Sequence, residues 1–259
     1  MIRMRLVLFA LAAIVPWIAF AQPSIDGVWK TDPRSVTGGT KPSKYLVDAK
    51  EYRCESCAPK IKVPADGQPH AMPGNHYIDR ISAHIVDDRT FEVTSVVGKV
   101  ATVGRMTVSA DGRSMVREIT SHEANGTTSA TTETLTRVGA APRHGHAVSG
   151  TWKFATIVKM TDETITFKMT SGILSMNASD GSGYDAPMDG TKASFRNSPG
   201  IDWVSVVVHG GNTIEEVSYA GDRPVWVNTM VVAPDGAKMK ITWDDKLRDA
   251  KGTFTMIRQ

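Results

Sequence analysis

Along most of this chain, apolar and polar residues change places at every second position. In Ile201-Asp-Trp-Val-Ser-Val-Val-Val-His209, Val204, Val206 and Val208 alternate with Trp203, Ser205, Val207 and His209. Ile81, Ala83 and Ile85 alternate in the same way with Arg80, Ser82 and His84. A two-residue period puts each set on its own face of a β-sheet. Turn residues punctuate the runs: Asp111-Gly112, Asp235-Gly236 and Gly210-Gly211-Asn212. Asp-Gly suits a tight hairpin because both central residues must accept positive φ. Beyond the first 21 residues no long window carries a helical period. The second half predicts strands near 150–159, 163–169, 172–177, 191–196, 202–209, 213–219, 224–233, 237–243 and 252–258. That makes about eight or nine short antiparallel strands joined to near neighbours, a meander.

The pattern is written twice. Gly27-x-Trp29-Lys30 returns as Gly150-x-Trp152-Lys153, Pro64-x-Asp66-Gly67 as Pro187-x-Asp189-Gly190, and Ile78-Asp79-x-x-Ser82 as Ile201-Asp202-x-x-Ser205. Thr90-x-Glu92 and Gly98 return at the same offset as Thr213-x-Glu215 and Gly221. After a slip of one residue, Met106-x-Val108-x-x-Asp111-Gly112-x-x-Met115 reappears as Met230-x-Val232-x-x-Asp235-Gly236-x-x-Met239. So constant a register means two copies of one folding unit. A meander leaves two bare edges unless it closes on itself. The expected fold is therefore all-β, two tandem antiparallel meander barrels over 22–138 and 149–259. The Gly/Pro/Ala stretch 139–148 between them reads as a linker.

Composition adds a compartment. Arg3 and Arg5, the apolar run from Leu6 to Val15 and Ala19-Phe20-Ala21 have the charged start, short apolar core and small-x-small cleavage site of a secretory signal peptide over 1–21. No later segment approaches the ~20 apolar residues that span a bilayer as a helix. The expectation is export to the periplasm or beyond, with no membrane span in the mature protein. The formal net charge of +3 comes from 30 Lys and Arg against 27 Asp and Glu, and two of those cations leave with the leader. The near-neutral remainder has no clustered basic face for nucleic acid.

Each copy opens with Gly-x-Trp (Trp29, Trp152) and closes its last strand with an arginine (Arg137, Arg258). That combination resembles the lipocalin and calycin signature, and the chain as a whole resembles exported bacterial proteins without an assigned function. The resemblance implies a barrel whose floor is plugged by the first-strand Trp, with the last-strand Arg packed across its ring. An indole filling the narrow end under a guanidinium is a sound seal, since the pair adds a cation–π contact. A barrel of this size encloses packed side chains or one small ligand.

Function is expected where the copies differ. Cys54-Glu-Ser-Cys57 occurs only in the first copy. In an oxidising compartment such a pair forms a small disulfide that stiffens a loop. Two other readings stay open. Cys54 and Cys57 with His70 and His76 have Cys₂His₂ zinc spacing, although Pro59, Pro64, Pro69 and Pro73 break the helix a finger needs. A redox Cys-x-x-Cys lacks its βαβ setting. His144, His146 and His209 are scattered, and neither a metal site nor a cofactor is predicted. Glu92 and Glu215, and Asp79 and Asp202, occupy matching positions and read as residues of strand starts or wet faces. Asp66 and Asp189 read as turn residues. The second copy has its own Gly-rich stretch, Asp180-Gly-Ser-Gly-Tyr184-Asp185, placed to overlie a barrel mouth as a loop. It lacks a phosphate-loop pattern, and the chain has no Gly-x-Ser-x-Gly nucleophile elbow.

Methionines specific to the second copy (Met160, Met169, Met176, Met256) suit core packing or a forgiving apolar cavity. The leading expectation is an exported binding protein that holds a small, largely apolar molecule in one barrel. Tyr184, Asp185, Glu215, Trp203 and Trp226 are the candidate contacts. The alternatives are a lipocalin-like isomerase or hydrolase with a carboxylate or Tyr in its cavity, and a structural or interaction protein of the cell envelope.

Overall fold

The computed structural model describes residues 24–210 and 212–259. The leader over 1–21 lies outside the described residues. The first sheet-forming run comprises β1 (Gly27–Asp32), β2 (Ser43–Val47), β3 (Glu51–Cys54), β4 (Ile61–Pro64), β5 (His70–Ala71), β6 (Arg80–Ile85), β7 (Thr90–Val97), β8 (Val100–Val108), β9 (Ser114–His122) and β10 (Thr128–Val138). The second comprises β11 (Gly150–Met160), β12 (Thr164–Thr170), β13 (Ile173–Ala178), β14 (Gly183–Pro187), β15 (Ala193–Ser194), β16 (Trp203–His209), β17 (Thr213–Ala220), β18 (Arg223–Val232), β19 (Lys238–Asp245) and β20 (Ala250–Arg258). One short 3-10 turn, Pro33–Ser35, follows β1. Among the described residues no helix is long and apolar enough to cross a membrane.

These strands make two antiparallel ten-stranded sheets, each rolled into a nearly closed barrel. Backbone bridges draw the free ends of each sheet together, Asp66 to His84 in one and Gly183 to Arg196 in the other. The all-β, duplicated, meander expectation holds. Each sheet has more strands than foreseen, partly because Gly183–Pro187 is a strand rather than a loop. Its residues alternate between faces, with Tyr184 and Ala186 buried and Asp185 exposed.

Strand membership differs from an arrangement of one copy per barrel. β1 lies between β20 and β12, whereas β11 lies between β10 and β2. The opening strand of each copy therefore completes the sheet of the other. Residues 139–149 join β10 to β11 inside a single sheet, and the chain passes between barrels at 36–42 and at 161–163. Of the stretch read as a linker, 139–145 is exposed and its end, 146–148, is packed. Val148 is fully buried, and the His146 ring donates from Nε2 to the Asp87 carbonyl at 2.7 Å.

The Trp–Arg seals exist, with crossed partners. Arg258 lies 4.3 Å over the Trp29 ring and Arg137 lies 4.0 Å over the Trp152 ring. Both indoles are fully buried, and each donates from Nε1 to a carbonyl four residues earlier, Ile25 at 2.7 Å and Val148 at 2.8 Å. Arg137 also donates to the carbonyls of Gly112, Ala147 and Ser149, and Arg258 to those of Gly236, Ser24 and Asp26. Hydrogen bonds from a charged donor contribute roughly 1.5–3 kcal/mol each, more than the roughly 1 kcal/mol of the ring contact, so the carbonyls dominate. The glycine of Gly-x-Trp follows directly. A Cβ at Gly150 would lie 2.5 Å from Arg137 Nη1, and one at Gly27 would lie 2.6 Å from Arg258 Nη1.

Candidate functional site

Each barrel borders an open cavity. The barrel completed by β11 holds a cavity of about 980 Å³ that continues past the 36–44 crossing segment. The barrel completed by β1 holds one of about 460 Å³. Trp226, Asp245, Leu247 and Arg248 line both, so the β19–β20 hairpin forms a shared wall. Trp226 and Trp243 stack there, ring centroids 5.2 Å apart.

The smaller cavity is walled by Phe167, Met176, Phe195, Met230, Ile241, Phe254 and Met256, with Tyr77 of the first copy at its edge. Asp245, paired with Arg248, also lines it, and a polar chain interrupts the apolar surface. β17 buries alternate residues, which turns Ile214, Glu216 and Ser218 inward. Glu216 faces Asn228 across the ladder to β18. Tyr184 donates its hydroxyl to Glu216 Oε2 at 2.5 Å. Asn228 donates from Nδ2 to Oε1 at 2.9 Å, and Trp226 donates from Nε1 to Asn228 Oδ1 at 2.9 Å. Among the described residues no cation pairs with Glu216. Burial therefore pushes its carboxyl pKa up, although the bonds from Tyr184 and Asn228 pull the other way. Burial also raises the Tyr184 hydroxyl, reinforced by the Glu216 charge.

The larger cavity carries a different polar group. Arg117 on β9 and Glu133 on β10 face each other in register. Arg117 Nε lies 2.5 Å from Glu133 Oε1, Nη2 reaches the same oxygen, and Nη1 donates to Tyr45 Oη at 2.7 Å. Tyr52 packs beside Tyr45, ring centroids 6.4 Å apart. Its hydroxyl lies well above the ordinary range, chiefly through burial and next through Tyr45. The disulfide Cys54–Cys57 belongs to the rim of this cavity. With both sulfurs joined to each other, neither is a thiolate ligand or a redox dithiol. His70 instead bonds Asp66 at 2.9 Å, and His76 approaches Asp202 at 3.2 Å.

Of the residues singled out from sequence, Tyr184 and Trp226 line or back the smaller cavity. Asp185, on the outer face of β14, bonds Ser175 at 2.6 Å and Arg196 at 2.8 Å, contacts that hold its carboxyl below the usual range. Glu215 faces away from the cavity, 3.9 Å from His209. Trp203 is 41% exposed on the outside of the sheet. Asp79 and Asp202 accept from the Gly98 and Gly221 amides at 2.7 Å and 2.6 Å, a shared structural bond. Asp66 and Asp189 accept from amides two residues on, as turn residues do. Glu92 pairs with Arg105 at 3.3 Å.

Six residues went unforeseen: Glu216, Asn228, Tyr45, Tyr52, Arg117 and Glu133. The repeat itself contains the signal. By ladder register, Glu216 and Asn228 correspond to Val93 and Gly104, and Arg117 and Glu133 correspond to Ile241 and Phe254. Each polar pair thus replaces an uncharged pair of the other copy. Comparison of the chain with protein-family models, with curated proteins and with solved structures finds no match.

Proposed function

We propose that this chain is an exported binding protein that holds a small, largely apolar molecule in the cavity completed by β1. The observation that carries the reading is that cavity: about 460 Å³, walled largely by aromatic and Met side chains around a buried polar chain. Small-molecule sites are typically ~300–1,000 Å³ and apolar, with few polar groups that set orientation. Removing apolar ligand surface from water contributes about 25 cal/mol per Å². Asn228 and Glu216 offer the orienting bonds. The lipocalin-like Trp–Arg seals and the leader support the same reading, since they suit a rigid cup working outside the cytoplasm.

The test is titration with a neutral phenyl-naphthylamine dye, which fluoresces in apolar surroundings. Saturable binding with quenching of Trp226 and Trp243 is expected. Met176→Trp, which fills the cavity, should weaken binding at least about tenfold while the protein stays folded. Equal binding by the filled variant contradicts the assignment.

One observation favours a second reading, an isomerase-type enzyme. Glu216 has the burial and raised pKa of a proton-transfer group. Here Glu216→Gln would abolish turnover of a carbonyl substrate yet leave dye binding in place.

A further inference from the structure

We propose that the larger cavity is a second binding site of different chemistry, selective for uncharged molecules that carry a carbonyl group on an apolar body. Its polar residues have no counterpart in the smaller cavity, so the two sites diverged after the duplication. Charge sets the first constraint. Glu133 is buried and takes two bonds from Arg117, so the pair is neutral as a unit. The cavity's other cations, Lys41, Lys44 and Arg248, stand at exposed positions, so a carboxylate or ammonium placed beside Tyr45 and Tyr52 would be buried next to an already neutralised pair, which costs several kcal/mol even after relaxation.

Hydroxyl bookkeeping sets the second constraint. Tyr45 and Tyr52 are 5% and 4% exposed, and both line the cavity. Tyr45 Oη accepts from Arg117, and among the described residues nothing accepts its proton. The Tyr52 hydroxyl has no hydrogen-bond partner among the described residues. It is also not an atom sealed from solvent, so it faces cavity space. A Phe would fill the same volume without leaving a donor unused. Two unused O–H donors on neighbouring rings call for an acceptor, and a ketone, ester or amide oxygen offers two lone pairs. The apolar part of the lining (Ile61, Ile81, Met106, Ile119, Leu135) suits the apolar body.

The test uses a solvatochromic acyl-naphthalene dye and its carboxylate analogue, in the Met176→Trp background so that the smaller cavity is closed. The ketone dye should bind with the red-shifted emission of a hydrogen-bonded carbonyl, and the carboxylate at least about tenfold more weakly. Tyr52→Phe should weaken the ketone about fivefold to tenfold, the value of one hydrogen bond, and blue-shift its emission. Its melting temperature should stay unchanged, because that hydroxyl bonds nothing in the folded chain. Unchanged affinity and emission in Tyr52→Phe, or preference for the carboxylate, overturns the proposal. The reading of the smaller cavity stands or falls separately, on the loss of phenyl-naphthylamine binding when Met176→Trp fills it.

Discussion

At the scale of single residues, the two copies share what seals the barrels and differ in what faces the cavities. The seals were legible because Gly-x-Trp and a terminal Arg stand out in any alternating strand. The cavity residues were not, and Glu215 and Glu216 show why. The match between Glu92 and Glu215 drew attention to a pair that both copies keep on the outer face. Counting two by two from the buried Ile214 turns Glu216 inward instead. Because burial raises its pKa, Glu216 holds its proton more tightly in the folded than in the unfolded chain. Its contribution is thus most favourable below the ordinary carboxyl value of 4.5 and is lost as pH rises through the raised folded value. Gln keeps one acceptor for Asn228 and one donor for Tyr184. Glu216→Gln should therefore gain stability relative to the parent as pH rises above 4.5, and denaturant melts of both proteins across pH should diverge in that direction. A parallel pair of curves would show that Glu216 carries no such penalty.

At the scale of elements, the Asp-Gly hairpins and most strands followed from alternation and turn chemistry. The strand Gly183–Pro187 did not, because its glycine, aspartate and proline resemble a loop. Packing of Tyr184 and Ala186 against the core overrides that preference. The exchange of β1 and β11 was also illegible, since each tryptophan suits either arginine. Loop entropy discriminates. Closing Trp152 on Arg137 spans a short loop, and closing Trp29 on Arg258 spans almost the whole chain. The cost grows only with the logarithm of length, so the exchanged pairing is favoured by about 1 kcal/mol over pairing within copies. A chain beginning at Pro33 lacks β1 and leaves β12 and β20 as bare edges. Their amides should then exchange with solvent at least about tenfold faster, while β9 and β10 stay protected. Uniform loosening of both sheets, or none, would contradict the exchanged topology.

At the scale of the whole molecule, duplication produced two cups that share a wall at Trp226 and the β19–β20 hairpin. The fold class was readable because repeats and periods are properties of many residues at once. Cavity size was not, since it depends on how side chains from ten strands meet. A structural or interaction role needs no interior space, whereas the two barrels border cavities of about 980 and 460 Å³. Binding is the central claim, and native mass spectrometry of the protein purified from the cells that make it tests it most directly. A retained small organic molecule, displaced by the phenyl-naphthylamine dye, is the expected result. A bare chain mass that takes up no dye contradicts the account.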